Sequence, residues 1–261
     1  MNMFLKAIFI SALVFAAACA WQASDVSVVQ PLQPVSTAKQ PVLVELFTSE
    51  GCSSCPPADR LLPQLASTDV NVIPLSFHVD YWDRYGWKDP FSNASFTDRQ
   101  RDYAKKFKLE SIYTPQLVIN GEYELVGSNK SLAEADIGKS LKESVPLQLT
   151  VDNAKKENDN LSVSCHLKGD FQNCDLVVAV VQKHAEVNVK AGENNGTKLS
   201  HTNVVRSFLK LPAKEKMEFQ IPVPPELADD GASAKKPNWQ LIIYTQRAND
   251  LKITGAAIYT P

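Results

Sequence analysis

The chain has 261 residues, 44% of them hydrophobic, with a formal charge of −2 and a pI near 6.1. That is enough apolar sequence for one large or two ordinary cores, and the charge balance excludes the basic field that captures nucleic acid. No collagen-like, coiled-coil or repeat periodicity runs through it.

Met1 to Ala20 carries one cation, Lys6, then an apolar run to Ala18 and small residues at Ala16, Ala17, Ala18 and Ala20. This is the layout of a secretory signal, too short for a comfortable membrane span. No second long apolar run follows, so a soluble chain, periplasmic or secreted, in an oxidising compartment is expected. Residues 16–19, Ala-Ala-Ala-Cys, loosely resemble a bacterial lipoprotein processing site with Ala16 in place of the usual leucine. Cys19 is therefore a candidate lipid anchor, or is discarded if cleavage follows Ala20. Residues 21–40, with Pro31, Pro34 and many Gln and Ser, read as an extended leader.

Val42 to Thr48 reads as a buried strand that passes through a polar turn into Cys52-Ser53-Ser54-Cys55 and then Pro56 and Pro57. Proline suits a first helical turn, where its missing N–H is not needed. A helix N-terminus offers unpaired N–H groups and the positive end of the macrodipole, both of which favour a thiolate. Cys52 is thus expected to be the exposed, low-pKa thiol. Cys55, one turn further in, is placed to resolve a mixed disulfide formed on Cys52. The helix is expected to continue from Asp59 to Ala66, interrupted or ended near Pro63. Val72 to Val79 follows as a second strand, parallel to the first.

His78 to Phe91 packs Tyr81, Trp82, Tyr85, Trp87 and Phe91 among charged residues. As a loop after a strand at the cysteine edge, it is either the wall of a peptide groove, with Tyr81, Trp82 and His78 lining it, or a satellite core. His78 is a candidate for proton transfer near Cys55 or for joining Cys52 and Cys55 around a soft metal; the other reading is a hydrogen-bonded structural histidine. A helix is expected over 95–109, capped by Ser95, with Phe96, Tyr103 and Phe107 inward and Arg99, Arg101, Lys105, Lys106 and Lys108 solvated. Asn120-Gly121 marks a hairpin between Gln116–Asn120 and Glu122–Val126. Ser131 and Glu134 form a capping box for a helix over 131–143.

Strand, helix, strand, helix, hairpin, helix is an order that resembles the thioredoxin fold. Thr114-Pro115 falls just before the hairpin, where thioredoxin-like proteins carry a cis proline facing the Cys-x-x-Cys; the resemblance implies that Pro115, with Thr114, aligns a substrate strand. A zinc site would need a second Cys-x-x-Cys, and none exists.

Beyond Glu143 helical spacing gives way to seven short alternating runs: 147–151, 161–167, 175–182, 204–210, 218–223, 240–245 and 253–259. Together they describe a β-sandwich. Cys165 and Cys174 flank a turn-like GDFQN segment, and an exported chain is expected to join them as a structural disulfide. That link closes a loop of about ten residues, worth roughly 3 kcal/mol in the chain-entropy treatment. His201, Asn203 and Arg206 form a polar cluster at strand spacing that can face the other domain.

The segments FTSEGCSSCPPAD, SFHVDYWDRYGWKDPFS, YTPQLVINGEYELVGS and GENNGTKLSHTNVVRSF resemble a family of exported, thioredoxin-like bacterial proteins catalogued as domain-of-unknown-function family 1223. The resemblance covers roughly residues 40 to 260. It implies fold and export, and it brings no activity with it. The expected organisation is a signal peptide at 1–20, a leader at 21–40, an α/β thioredoxin-like domain at 41–144 and an all-β sandwich-like domain at 145–261.

The expected chemistry is thiol–disulfide exchange on protein or peptide thiols, with Cys52 attacking, Cys55 resolving and an unidentified redox partner; no cofactor and no nucleic acid are called for. Ser53 and Ser54 add no charge, so direction stays open across the span of about −270 to −120 mV covered by dithiol proteins. Two alternatives stand beside it. One is Cu(I) handling by Cys52, Cys55 and His78; the other is a non-enzymatic binding module with a structural Cys52–Cys55 bridge.

Overall fold

The structure, a computed structural model, describes residues 41–144, 147–157, 159–227 and 237–261. The signal peptide, the leader and Cys19 lie outside the described residues. The chain runs β1 (Val42–Thr48), α1 (Pro56–Ala66), β2 (Val72–His78), a 3₁₀ turn (Asp80–Tyr85), α2 (Ala94–Phe107), β3 (Gln116–Ile119), β4 (Tyr123–Val126) and α3 (Lys130–Ser140). Then follow β5 (Leu147–Glu157), β6 (Asn160–Gly169), β7 (Cys174–Asn188), β8 (Lys198–Pro212), β9 (Lys216–Pro222), a 3₁₀ turn (Pro225–Leu227), β10 (Trp239–Arg247) and β11 (Ile253–Tyr259).

Eight strands form one mixed sheet in the order β11-β10-β7-β8-β2-β1-β3-β4, and β5-β6-β9 form a second. The large sheet crosses the expected boundary near residue 144, because β8 lies parallel to β2 with Ser76 beside Val204. That seam is short for a reason visible in the sequence. Pro74 of β2 has no N–H to offer a neighbour, and the Asn203 side-chain amide instead donates to the Pro74 carbonyl at 2.9 Å. Asn203 adopts a left-handed φ of 49°, a conformation asparagine tolerates better than most residues.

Side-chain alternation sorts the core into layers. On β7, Val177, Ala179 and Val181 join Phe47, Phe77, Phe96 and Tyr103 on one face. Leu176, Val178 and Val180 point the other way, into a core shared with the three-stranded sheet through Leu161, Val163 and Ile221. β1 is buried on both faces, as its continuous apolar run requires: Val42, Val44 and Leu46 meet Leu62 and Leu65 of α1 and Ile137 of α3. So α1 and α3 cover one face of the sheet and α2 packs on the other.

Several local expectations shift. α1 runs through Pro63 instead of ending there. α2 and α3 start earlier, capped by Asn93 and Asn129, whose side chains accept from Ser95 N and Leu132 N; asparagine is as good a cap as serine. Arg99 is not solvated. It is buried, its Nε donating to Glu45 at 2.8 Å, Nη2 to the Tyr103 hydroxyl at 2.9 Å and Nη1 to Gln246 at 3.1 Å. The Asn120-Gly121 hairpin forms as expected, with φ of 50° and 69°.

Candidate functional site

β1 ends in a polar turn that delivers Cys52 and Cys55 to the start of α1, where they form a disulfide with Cα atoms 5.4 Å apart. Cys55 is the N-cap residue, and its carbonyl accepts from Ala58 N at 2.9 Å and Asp59 N at 3.1 Å. Pro56 and Pro57 open the helix, where φ is preset and no amide is missed. The Cys52 sulfur lies 3.4 Å from the Ser54 hydroxyl, which in turn reaches the Thr114 carbonyl at 3.5 Å. Thr114-Pro115 is the cis peptide bond expected from the resemblance. The loop before β3 therefore stands directly beside the disulfide.

Around this centre the aromatic segment supplies two indole donors. Trp82 Nε1 donates to Thr114 Oγ1, and Trp87 Nε1 to Glu50 Oε2, both at 2.7 Å. Trp82 also packs on the disulfide turn: a Cβ added at Gly51 would sit 3.3 Å from that of Trp82. Of the expected groove residues, Thr114, Tyr81 and Trp82 are half-buried at this edge, and Pro115 is buried. His78 is fully buried and lines no open groove. Its Nδ1–H donates to Asp89 Oδ2 at 2.6 Å, and the same oxygen accepts from Glu50 N at 2.9 Å. Burial would raise the Asp89 pKa, but His78 and the amides of Glu50 and Phe91 outweigh it and hold the carboxyl below its usual range.

The site also draws on residues far along the chain. The turn joining β7 to β8 brings Asn194 to the disulfide loop, where its amide donates to the carbonyls of Glu50 at 2.8 Å and Cys52 at 3.0 Å. Glu193 Oε2 accepts from Ser53 N at 3.0 Å. One register further, β8 inserts His201 beneath the turn. Its Nε2 lies 3.4 Å from Glu50 Oε1 and its Nδ1 3.6 Å from Asp59 Oδ1, inside ion-pair range but outside hydrogen-bond geometry. Burial would lower its pKa; the Asp59 and Glu50 carboxylates prevail and raise it to about 10. The His201 ring meets that of His78 edge to face at 4.6 Å.

Three expectations need correction. Cys52 is not exposed: both sulfur residues are 0% accessible, because the loop backbone is tied down by Asn194 and Glu193 and Trp82 packs beside Gly51. Cys165 and Cys174 do not form a disulfide; they are free, buried thiols. Cys165 lies on β6 in the small sheet and Cys174 on β7 in the large one. Burial pushes the Cys165 thiol up to about 11. The set Cys52, Cys55 and His78 is not assembled either, as the cysteines bond to each other and His78 Nδ1 is committed to Asp89. Among the described residues, no group of three or more His, Cys, Asp or Glu is arranged to hold a metal ion.

No curated protein matches the chain. Among solved structures, protein AGR_C_4864 from Agrobacterium tumefaciens is 26% identical with a TM-score of 0.62, covering 85% of this chain and 94% of that one. HBP35 of Porphyromonas gingivalis is 15% identical with a TM-score of 0.56, covering 85% and 75%, a likeness of fold alone. The disulfide turn and its covering residues all lie within residues 43–236, the stretch over which the sequence matches a known family, and the chain therefore belongs to the family described as Protein of unknown function (DUF1223).

Proposed function

We propose that this protein is an exported, thioredoxin-like thiol–disulfide oxidoreductase acting on protein or peptide thiols. The observation that carries the reading is the Cys52–Cys55 disulfide at the first turn of α1, beside the backbone carbonyl of Thr114. The segment order β1-α1-β2-α2-β3-β4-α3, with β1 parallel to β2 and antiparallel to β3, supports the thioredoxin-like part. The secretory layout of residues 1–20 supports export to the periplasm or beyond.

In the reducing direction, the Cys52 thiolate attacks one sulfur of a client disulfide and expels one client thiolate. The Cys55 thiolate then attacks the Cys52 sulfur, expels the second client thiolate and closes the disulfide seen here. Two electrons pass to the client. Run backwards, the same steps oxidise a client dithiol. The positive end of the α1 dipole favours a thiolate at the head of the helix, while Pro56 and Pro57 bring no amide and those of Ala58 and Asp59 go to the Cys55 carbonyl.

Complete burial of both sulfurs favours a second reading, in which the bridge is structural and the protein a binding module. The reduction potential of the pair, measured by equilibration with glutathione and thiol trapping, decides between them. A value between about −270 and −120 mV supports exchange chemistry, and one below about −300 mV sinks it.

A further inference from the structure

Thiol exchange needs an attacking sulfur to approach Cys52 in line with the disulfide, yet Cys52 is 0% accessible. The groups holding its loop come from the other half of the chain. Asn194 is buried and spends both amide hydrogens on the loop, on the carbonyls of Glu50 and Cys52. Glu193 is exposed and takes the Ser53 amide, so that three hydrogen bonds, at Glu50, Cys52 and Ser53, hold the backbone on both sides of the Cys52 side chain. The clasp is one compact turn: Asn195 N donates to the Gly192 carbonyl, and Thr197 N to the Asn194 carbonyl. Gly192, with φ of +73°, seats this turn against Trp87.

We infer that the Glu193–Asn194 turn is a clasp that gates access of thiols to Cys52. Its residues are positioning residues, acting through the backbone of the disulfide loop. The inference rests on the oxidoreductase reading for its biological purpose, but the gating itself is measurable on its own. If the loop must open before attack, the observed rate is the intrinsic exchange rate multiplied by the open fraction. Removing clasp hydrogen bonds raises the open fraction. It leaves the reduction potential in place, because the clasp holds backbone groups present in both redox states.

The test is the rate at which excess dithiothreitol reduces the oxidised full-length mature protein, followed by quenching and thiol labelling, beside the reduction potential of each variant. Asn194→Ala, which loses two bonds of ordinary strength, should react about tenfold faster or more. Glu193→Ala, at an exposed position where folding is not at stake, should accelerate in the same direction. Glu193→Gln keeps an acceptor for Ser53 N and should stay close to the wild-type rate. Wild-type rates in both alanine variants, at unchanged melting temperature, would overturn the clasp. A potential below about −300 mV with faster reduction in the variants would instead sink the oxidoreductase reading and leave the clasp standing.

Discussion

At the scale of single residues, His201 shows how strongly two carboxylates can bias one imidazole. Its ordinary pKa is about 6.5, and the folded site raises it to about 10. A raised folded pKa means that the proton is held by the native state. The stabilisation is complete below about pH 6.5, declines as pH rises and is gone above the folded value. Stability by urea denaturation should therefore fall between pH 7 and 10 in the wild type and much less in His201→Gln; parallel curves would refute the pairing. At neutral pH the same variant leaves Glu50 and Asp59 buried without their cation, at a cost of about 3–5 kcal/mol. Under the proposed exchange chemistry, in which Cys55 resolves, Cys55→Ser should accumulate mixed disulfides on Cys52, detectable on non-reducing gels. The cysteines, Thr114 and Pro115 were legible because each is local to a strand end or turn. His201 was legible only as a polar residue with something to face, and nothing near it in sequence says that the something is Glu50 and Asp59.

Elements add a second set of constraints, and α2 carries the most consequential one. Its charge alone assigns Arg99 to solvent, although at i+3 from Phe96 and i−4 from Tyr103 it lies on the helix's apolar face. The sheet continues past β2, however, and β10 brings Tyr244 and Gln246 over that position. Arg99 then sits at 5.3 to 5.7 Å from the rings of Phe208, Phe77 and Tyr244 and pairs with Glu45 at 2.6 Å. Both Tyr103 and Tyr244 hydroxyls donate to Glu45 as well. Arg99→Met should destabilise the protein by about 3–5 kcal/mol, because it strands a buried carboxylate, whereas Arg101→Met, exposed on the same helix, should change stability by no more than about 0.5 kcal/mol. Equal urea midpoints for the two variants would show that the pair contributes nothing. The β3–β4 hairpin is constrained in a similar way. Gly121 has φ of +69°, and a Cβ there would fall 1.9 Å from the Leu251 carbonyl oxygen, so Gly121→Ala should cost more than the few tenths of a kcal/mol typical of a surface change. Sequence pattern located this hairpin; its abutment on Leu251 came from the return of β11 and its preceding turn.

Over the whole molecule, the large sheet is what makes one site from two halves. β8 pairs along its length with β7 and meets β2 through the single pair Ser76–Val204, and the turn between β7 and β8 reaches the disulfide loop through the hydrogen bonds of Asn194 and Glu193. Cys165 on β6 and Cys174 on β7 are both free, buried thiols. Thiol counting on unreduced protein in denaturant should therefore find both of them reactive, and Cys174→Ser should lose far less than the roughly 3 kcal/mol expected of a removed disulfide; a mass consistent with two disulfides would reverse that conclusion. The sequence by itself determined the elements whose signals are short-ranged: all seven strands after residue 144, the Cys-x-x-Cys at a proline-led helix start, the Asn-Gly hairpin and the proline before β3. Alternation of period two and turn chemistry act over a few residues, so they can be read without knowing the fold. Only the tertiary structure decided that those later strands extend the first sheet, that Asn194, Glu193 and His201 close around Cys52, and that Arg99 meets Glu45 and Gln246. Each of these depends on residues more than fifty positions apart meeting through strand pairing, and the chain carries no local mark of which distant partner a buried charge will find.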